Sequence, residues 1–286
     1  MKKSNRTVLV VPSDEHAGST TGLLPPGNWT GRDGQTIKPS PGQRILWKQW
    51  EECWERVLQL RKGANLVVVH NGDAIDGDHH DTTQLHTKNI EEQKQMHLAS
   101  MDWALQHATF GKKDKLFYVS GTESHVGGTE DDIARDLGAV PSIEPTADSN
   151  FRDGRFVHHH LKLNINGVRF DIAHHGISAG GNVMSNSAYL AAKYHYFNCL
   201  EYGTEPADYL IASHFHEYKT ALYEGNNGSV RSVITPAFQL KTEYGIRVAR
   251  QKLASIGLVI IVIEEDGRHY FECPRLTYDD VKEMKL

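Results

Sequence analysis

The amino-acid sequence predicts a two-sheet α/β fold, and three features of the 286-residue chain lead to that expectation. The first half alternates short, continuously apolar runs with stretches of helical periodicity, which is the pattern of parallel βαβ units covered on both faces. The second half instead carries apolar runs paired across Asn-Gly and Asp-Gly turns, which indicate antiparallel hairpins. Neither an internal repeat nor a linker divides the sequence, so we expect a single domain over residues 1–286.

The first elements follow from these patterns. Thr7–Pro12 is a short buried strand, whereas residues 17–42 contain many glycines and prolines without apolar periodicity and are expected to form a long inserted loop. From Gln43 to Lys62 apolar residues recur near a 3.6-residue period, which predicts a helix that ends at Gly63. A second buried strand, Asn65–His70, follows.

The remaining elements are predicted in the same way. A helix over 90–107 precedes the strand Lys115–Ser120, and a hairpin follows in which residues 156–163 pair with 168–173. A helix over 183–200 precedes a strand at 208–213. Two further strand pairs complete the chain, 218–223 with 229–235 and 258–264 with 269–273.

Composition excludes several classes of protein. The chain has 31 Lys and Arg against 36 Asp and Glu, so no basic surplus marks a general nucleic-acid or membrane-surface binder. The longest apolar run, Gly257–Ile263, is far shorter than the roughly 18 residues that cross a bilayer. The apolar run Val8–Val11 is too short for a signal peptide, and the three cysteines are widely spaced. We therefore expect a cytoplasmic protein without a membrane partner, a disulfide or a thiolate zinc site.

Acidic residues and histidines, by contrast, gather where five predicted strands end. The clusters are Asp14-Glu-His16, Gly72-Asp73-Ala-Ile-Asp76, Gly121-Thr-Glu-Ser-His125, His174-His175 and His214-Phe-His216. Carboxylates and imidazoles are ligands for divalent metals, and a buried Asp needs a compensating charge. Each cluster alone is weak evidence, but strand ends converge on one edge of an α/β sheet. Their conjunction predicts a shared metal site.

In order and spacing, the five clusters resemble the motifs of the calcineurin-like metallophosphoesterases: Asp-x-His, Gly-Asp-x-x-Asp, Gly-Asn-His-Asp/Glu, a His that ends a strand, and Gly-His-x-His. The resemblance spans residues 14–216. It implies a four-layer sandwich of two mixed sheets flanked by helices. It also implies hydrolysis of a phosphate ester by a hydroxide that bridges two metal ions.

The resemblance also implies roles for individual residues. The metal ligands would be Asp14, His16, Asp73, His174, His214 and His216, with Asp73 bridging both ions. His175 remains the alternative to His174. Asp76 would orient the catalytic histidine.

The third cluster departs from the family pattern, because Gly121-Thr122-Glu123-Ser124-His125 has neither the Asn nor the His that follows it. We expect Glu123 to take the ligand place of the Asn, and His125 to take the place of the catalytic His. A ligand at Glu123 would add a third carboxylate and make the metal core with its hydroxide formally neutral. A neutral core attracts a dianionic monoester less strongly, so this assignment favours a phosphodiesterase.

The expected cofactor is a pair of divalent ions, with Mn²⁺ favoured and Zn²⁺, Fe or Mg²⁺ left open. The expected substrate is a phosphate ester, either a small molecule or a nucleic-acid end. A phosphomonoesterase or nuclease of the same family is the alternative. An interaction scaffold that has lost catalysis is the alternative from another class, and the altered third motif is the feature that could signal it.

Overall fold

The computed structural model describes residues 5–31, 34–78, 82–142, 154–177, 184–248 and 253–278. Its helices are α1 (Pro41–Arg61), α2 (Ile90–His107), α3 (Glu123–Val126), α4 (Thr129–Asp136), α5 (Met184–Glu201) and α6 (Glu243–Val248). None of the helices in these ranges has the length and apolar character needed to span a bilayer.

The strands of the first half are β1 (Thr7–Val11), β2 (Trp29–Thr30), β3 (Thr36–Ile37), β4 (Asn65–Asn71), β5 (Lys115–Val119) and β6 (Val157–His158). Those of the second half are β7 (Leu161–Ile165), β8 (Val168–Ile172), β9 (Tyr209–Ala212), β10 (Lys219–Gly225), β11 (Gly228–Ile234), β12 (Ala254–Gly257), β13 (Val259–Ile263), β14 (His269–Glu272) and β15 (Arg275–Tyr278).

Two mixed sheets form the centre of the protein. The first has the strand order β14-β13-β1-β4-β5-β6, and its β1, β4, β5 and β6 run parallel while β13 and β14 pair antiparallel. The second has the order β10-β11-β9-β8-β7, with a parallel centre and an antiparallel strand at each edge.

The two sheets pack face to face and helices cover their outer faces. Alternate residues of β1 show this arrangement, because Leu9 and Val11 pack between the sheets whereas Val8 and Val10 pack against α1 and α2. On the far side, Ala192 and Tyr196 of α5 pack on Val230 of the second sheet. The protein therefore has four layers, which confirms the predicted two-sheet α/β sandwich flanked by helices.

Local sequence explains where the first long helix begins. The Ser40 side chain accepts a hydrogen bond from the Gln43 backbone N–H at 3.2 Å, and the Gln43 side chain accepts one from the Ser40 N–H at 3.1 Å. This reciprocal capping satisfies backbone donors that a helix N-terminus otherwise leaves unpaired. Pro41 fits the first helical position because its N–H is not needed there. The helix thus starts two residues earlier than apolar periodicity alone predicts.

The structure departs from the sequence expectations in three places. The single strand predicted over 156–163 is divided, because β6 joins the first sheet and β7 the second, with exposed His159 and His160 between them. The segment 17–42 contains the β2–β3 hairpin and buries Leu23 and Leu24 in the core, so it is more than an inserted loop. The elements α3, α4, α6, β12 and β15 were not predicted. Val183, the first residue of the predicted helix that corresponds to α5, lies outside the described residues.

The parallel pairing of β1 and β4 continues past the strand ends and determines the position of the candidate ligands. The backbone N–H of Asp14 donates to the Gly72 carbonyl at 2.9 Å, and that of His16 donates to the Asp73 carbonyl at 3.0 Å. The first two acidic clusters are therefore joined by main-chain hydrogen bonds. The ends of β5, β8 and β9 supply the other three clusters.

Candidate metal centre

The first group of candidate ligands consists of Asp14, His16 and His216. The Nε2 atom of His216 lies 3.3 Å from Asp14 Oδ1 and 3.2 Å from His16 Nε2. Asp14 and His16 are buried, whereas the His216 side chain is 27% exposed. One carboxylate oxygen and two imidazole nitrogens thus face a common point that solvent can reach past His216.

The second group consists of His174, His175 and His214. One ring nitrogen from each lies within 4.8 Å of the others. His174 is buried and His175 is exposed, so both adjacent histidines reach the same point from different depths. The sequence left a choice between His174 and His175, and the structure brings both into the group.

Asp73 lies between the two groups. Its Oδ2 atom is 3.1 Å from His174 Nε2 and 3.9 Å from His214 Nδ1 of the second group. The same oxygen is 3.8 Å from His16 Nε2 of the first group. Asp73 therefore has the position of a carboxylate that two ions could share.

The hydrogen bonds of the buried histidines show that the residues fit a metal. His174 Nδ1 donates to the Asn71 carbonyl at 2.7 Å, so the neutral ring has its lone pair on Nε2. That lone pair faces Asp73 Oδ2, which is also an acceptor, and the two atoms require a cation or a proton between them. His16 is similar, because its Nδ1 donates to Asp76 Oδ1 at 2.9 Å and its Nε2 faces the other two members of the first group. Metal-binding histidines generally have such a partner on the second ring nitrogen.

The pKa shifts agree with a strong demand for positive charge at this place. Burial alone would raise the pKa of Asp73, but hydrogen bonds from His174 and His214 and the charges of His174 and His16 hold it well below its usual value. Burial alone would lower the pKa of His174, but its hydrogen bond to Asp73 and the charges of Asp14 and Asp73 raise it to about 9. Without a metal, a proton on His174 supplies the positive charge beside Asp73 that a divalent ion would otherwise supply.

Backbone strain concentrates at the same residues. Asp14, His16, Asp73, His214 and His216 all adopt left-handed conformations, with φ between 45° and 74°. Such conformations are uncommon for residues other than glycine and are retained where the surroundings enforce them. The strain directs successive side chains toward one point, which an ordinary strand end would not do.

Two glycines permit the close approach of the loops. A Cβ atom on Gly121 would lie 2.2 Å from the Asp73 backbone nitrogen, and one on Gly72 would lie 2.5 Å from His174 Nδ1. Neither position could carry a side chain without displacing a candidate ligand.

The third cluster is arranged differently from the sequence expectation. Glu123 begins α3 with its side chain exposed, and it belongs to none of the ligand groups formed by the described residues. Thr122 instead faces the centre: its N–H donates to Asp73 Oδ1 at 2.6 Å, and its hydroxyl lies 3.2 Å from His214 Nδ1 and 3.4 Å from His174 Nε2. Directly after Gly121, Thr122 occupies the place in which the family pattern has Asn.

His125 and Asp76 are brought to the centre, but their relation differs from the expected one. His125 Nδ1 donates to the backbone carbonyl of Asp76 at 2.8 Å and is 4.0 Å from the carboxylate. The Asp76 carboxylate pairs with His16 instead. Asp76 therefore orients a candidate ligand through its side chain and the candidate catalytic His125 through its main chain.

Sequence reasoning missed Glu130, a buried carboxylate on α4. Its two oxygens accept from the Ala74 N–H at 3.0 Å and from the Gly121 N–H at 2.7 Å. Burial raises the pKa of Glu130 to about 7 despite those two hydrogen bonds. It ties the residue after Asp73 to the residue before Thr122, which no local motif reveals because Ala74 lies 56 residues away in the sequence.

A cavity of about 650 Å³ adjoins the second group of ligands. His174 and His175 form one part of its wall, and Tyr194 and Asn198 of α5 form another. The cavity is large enough for a small-molecule ligand and places it against the candidate metal ligands.

No known protein-family profile matches this chain, and no curated protein sequence matches it either. Among solved structures, it is similar to Thermotoga maritima protein TM1076, with 10% identity and a TM-score of 0.38 over 94% of this chain and 99% of that one. It is also similar to Chaetomium thermophilum Vps29, with 10% identity and a TM-score of 0.33 over 96% of this chain and 98% of that one. For Thermus thermophilus sulfate thiohydrolase SoxB, the identity is 10% and the TM-score is 0.41, over 95% of this chain and 56% of that one. With TM-scores below 0.5, the interpretation of the site depends on its own geometry.

Proposed function

We propose that the chain is a calcineurin-like metallophosphoesterase that hydrolyses phosphate esters with two divalent metal ions. One observation carries the proposal: Asp73 lies between an Asp14–His16–His216 group and a His174–His175–His214 group. Two adjacent ligand groups that share one carboxylate suit a pair of ions about 3.5 to 4 Å apart. The ligand set we propose adds Thr122, in place of Glu123, beside the second group.

The residues around the centre can be given distinct tasks. When bound, the two ions would lower the pKa of a water molecule and stabilise charge on a phosphoryl oxygen. Asp76 holds the His16 ring by its hydrogen bond to Nδ1. His125, held through Nδ1 by the Asp76 carbonyl, would deliver a proton from Nε2 of its protonated ring to the leaving oxygen.

The proposed ligand set changes the expected substrate preference. Asp14 and Asp73 supply two negative charges, whereas the earlier expectation included Glu123 and counted three. With two divalent ions and one hydroxide the formal charge is +1 rather than zero. The charge argument that favoured diesters therefore no longer applies, and the proposal covers both phosphate monoesters and diesters.

For the metal we propose Mn²⁺. The ligand set combines two carboxylates with several imidazoles, which Mn²⁺, Zn²⁺ and Fe all accept. Mg²⁺ fits less well because it binds mainly oxygen ligands and retains several waters.

The experiment that tests the proposal uses metal-free protein reconstituted separately with Mn²⁺, Zn²⁺, Fe²⁺ and Mg²⁺. Each form is assayed with an aryl phosphate monoester and an aryl phosphate diester. We expect turnover that requires metal and is abolished in His214→Ala. The matched control is His269→Ala, which removes an exposed histidine of β14 and should leave turnover unchanged.

Metal bound at the centre without turnover of any phosphate ester would contradict the proposed hydrolysis and support the scaffold alternative. Failure to bind any divalent ion would contradict the metal centre itself. Folding of each variant is checked by its thermal unfolding midpoint, so that loss of turnover is not mistaken for loss of structure.

A further inference from the structure

Glu15, between the candidate ligands Asp14 and His16, lies in a second polar cluster on the opposite side of the first sheet. Its carboxylate is completely buried. Oε2 accepts from His97 Nδ1 of α2 at 2.9 Å, and Oε1 lies 3.5 Å from His70 Nε2 of β4. His97 Nε2 is 2.8 Å from the Tyr118 hydroxyl of β5, and the Tyr118 ring stacks on His70. The Glu15 side chain thus connects the loop after β1 to α2 and β4 directly, and to β5 through His97.

Two features distinguish this cluster from a further metal site. The 2.9 Å separation between Glu15 and His97 is a direct hydrogen bond. His97 Nε2 is bonded to the Tyr118 hydroxyl, so both ring nitrogens of His97 already have protein partners. The cluster also contains a single carboxylate, so a divalent ion would leave uncompensated positive charge in a fully buried place, which is costly. A carboxylate that accepts a hydrogen bond from His97 and lies beside the His70 ring explains the geometry better.

We propose that Glu15 is a positioning residue, which holds Asp14 and His16 in the geometry that the metal centre needs. The proposal rests on the proposed function. Asp14 and His16 have φ of 53° and 45°, conformations that a free loop would abandon. Glu15 lies between these two strained residues, and its bond to the middle of α2 attaches them to a rigid element.

The structure shows how loss of the anchor would reach the ligands. The N–H groups of His16 and Ala17 donate to the carbonyls of Asp73 and Ala74 at 3.0 and 3.1 Å. Loss of the hydrogen bond between Glu15 and His97 would weaken the restraint on these two backbone hydrogen bonds. His16 would then move away from Asp73 and from His216. Metal affinity should fall although no ligand has been changed.

The test compares Glu15→Met, which keeps the size but removes the charge and acceptors, with the conservative Glu15→Gln. Met101→Ala, a fully buried change one turn beyond His97 on α2 that should lower the unfolding midpoint and alters none of the hydrogen-bonding groups of the cluster, is the matched control. We expect Glu15→Met to raise the Mn²⁺ dissociation constant by about 10- to 100-fold, Glu15→Gln to raise it less, and Met101→Ala to leave it unchanged. Should Glu15→Met not fold, Tyr118→Phe replaces it, with a smaller increase expected.

A second readout is independent of the metal. In metal-free protein, amide hydrogen exchange at His16 and Ala17 should be faster in Glu15→Met than in Met101→Ala. If the wild type binds no metal, the proposed function fails while this exchange still decides the role of Glu15. Equal exchange in the two variants, or equal metal affinity, would overturn the proposal. So would a metal equivalent beyond two that disappears in Glu15→Met, because the cluster would then bind an ion itself.

Discussion

Replacing Asp73 by Asn tests whether one carboxylate serves two ions. The change keeps the shape and removes the charge at Oδ2, which lies 3.1 to 3.9 Å from His174, His16 and His214. Loss of an outer partner of a metal ligand costs about 10- to 100-fold in affinity. Because Asp73 would be a direct ligand of both ions, we expect a loss of more than about 100-fold at each.

The effect on the metal-free fold should be smaller. Asp73 accepts hydrogen bonds from Thr122 and from charged His174, and hydrogen bonds to charged groups contribute about 1.5 to 3 kcal/mol. We expect the free energy of unfolding to fall by about this amount.

The assay is the metal content per chain by elemental analysis after dialysis, together with turnover of an aryl phosphate ester. Asp114→Asn is the control, since this buried carboxylate bonds Arg61 and the Leu66 N–H far from the centre. It should lower stability and leave metal content unchanged. A purified Asp73→Asn protein with wild-type metal content and turnover would refute the shared-carboxylate interpretation.

Three further predictions concern single residues. Burial alone would lower the pKa of His174, but its hydrogen bond to Asp73 and the charges of Asp14 and Asp73 raise it from 6.5 to about 9, so its proton stabilises the metal-free fold below about pH 6.5 and this contribution is lost as the pH rises through about 9. Calorimetric titration should therefore show Mn²⁺ affinity rising by up to about tenfold per pH unit between pH 7 and 9, and a flat profile would contradict a proton on His174. Thr122→Val should lower Mn²⁺ affinity, whereas Glu123→Gln should change neither affinity nor the ratio of monoester to diester rates; the reverse pattern would restore Glu123 as a ligand. His125→Ala should slow esters with alkoxide leaving groups more than nitrophenyl esters in steady-state assays, and equal losses would argue against proton delivery by this residue.

Much of the site could be predicted because strand ends are visible in the sequence. Continuous apolar runs identify β1, β4, β5 and β9, and the edge of an α/β sheet brings the residues that follow them together. Asp14, Asp73 and His214 could therefore be placed near one another without a structure.

Other features depend on contacts that local sequence does not encode. Thr122 rather than Glu123 faces the centre because the chain turns into α3 at Glu123, and neither apolar periodicity nor the family pattern shows that turn. Asp76 pairs with His16 across a distance of 60 residues, and Glu130 reaches Ala74 across 56. These contacts arise only when separate loops are packed together.

The division of the predicted strand over 156–163 has a similar cause. Val157 and Leu161 are both buried, and the three histidines between them do not by themselves show that the chain passes from one sheet to the other there. Strands of both sheets bury apolar residues, so an apolar pattern does not distinguish a strand of the first sheet from a strand of the second.

The proposed two-metal centre is tested most directly by anomalous X-ray scattering from crystals of the protein grown with Mn²⁺. We predict two peaks about 3.5 to 4 Å apart, one within reach of Asp14, His16 and His216, the other within reach of His174 and His214, with Asp73 between them. A map with no peak beside Asp73, from protein that hydrolyses phosphate esters in the same buffer, would contradict the assignment of these residues as the metal centre.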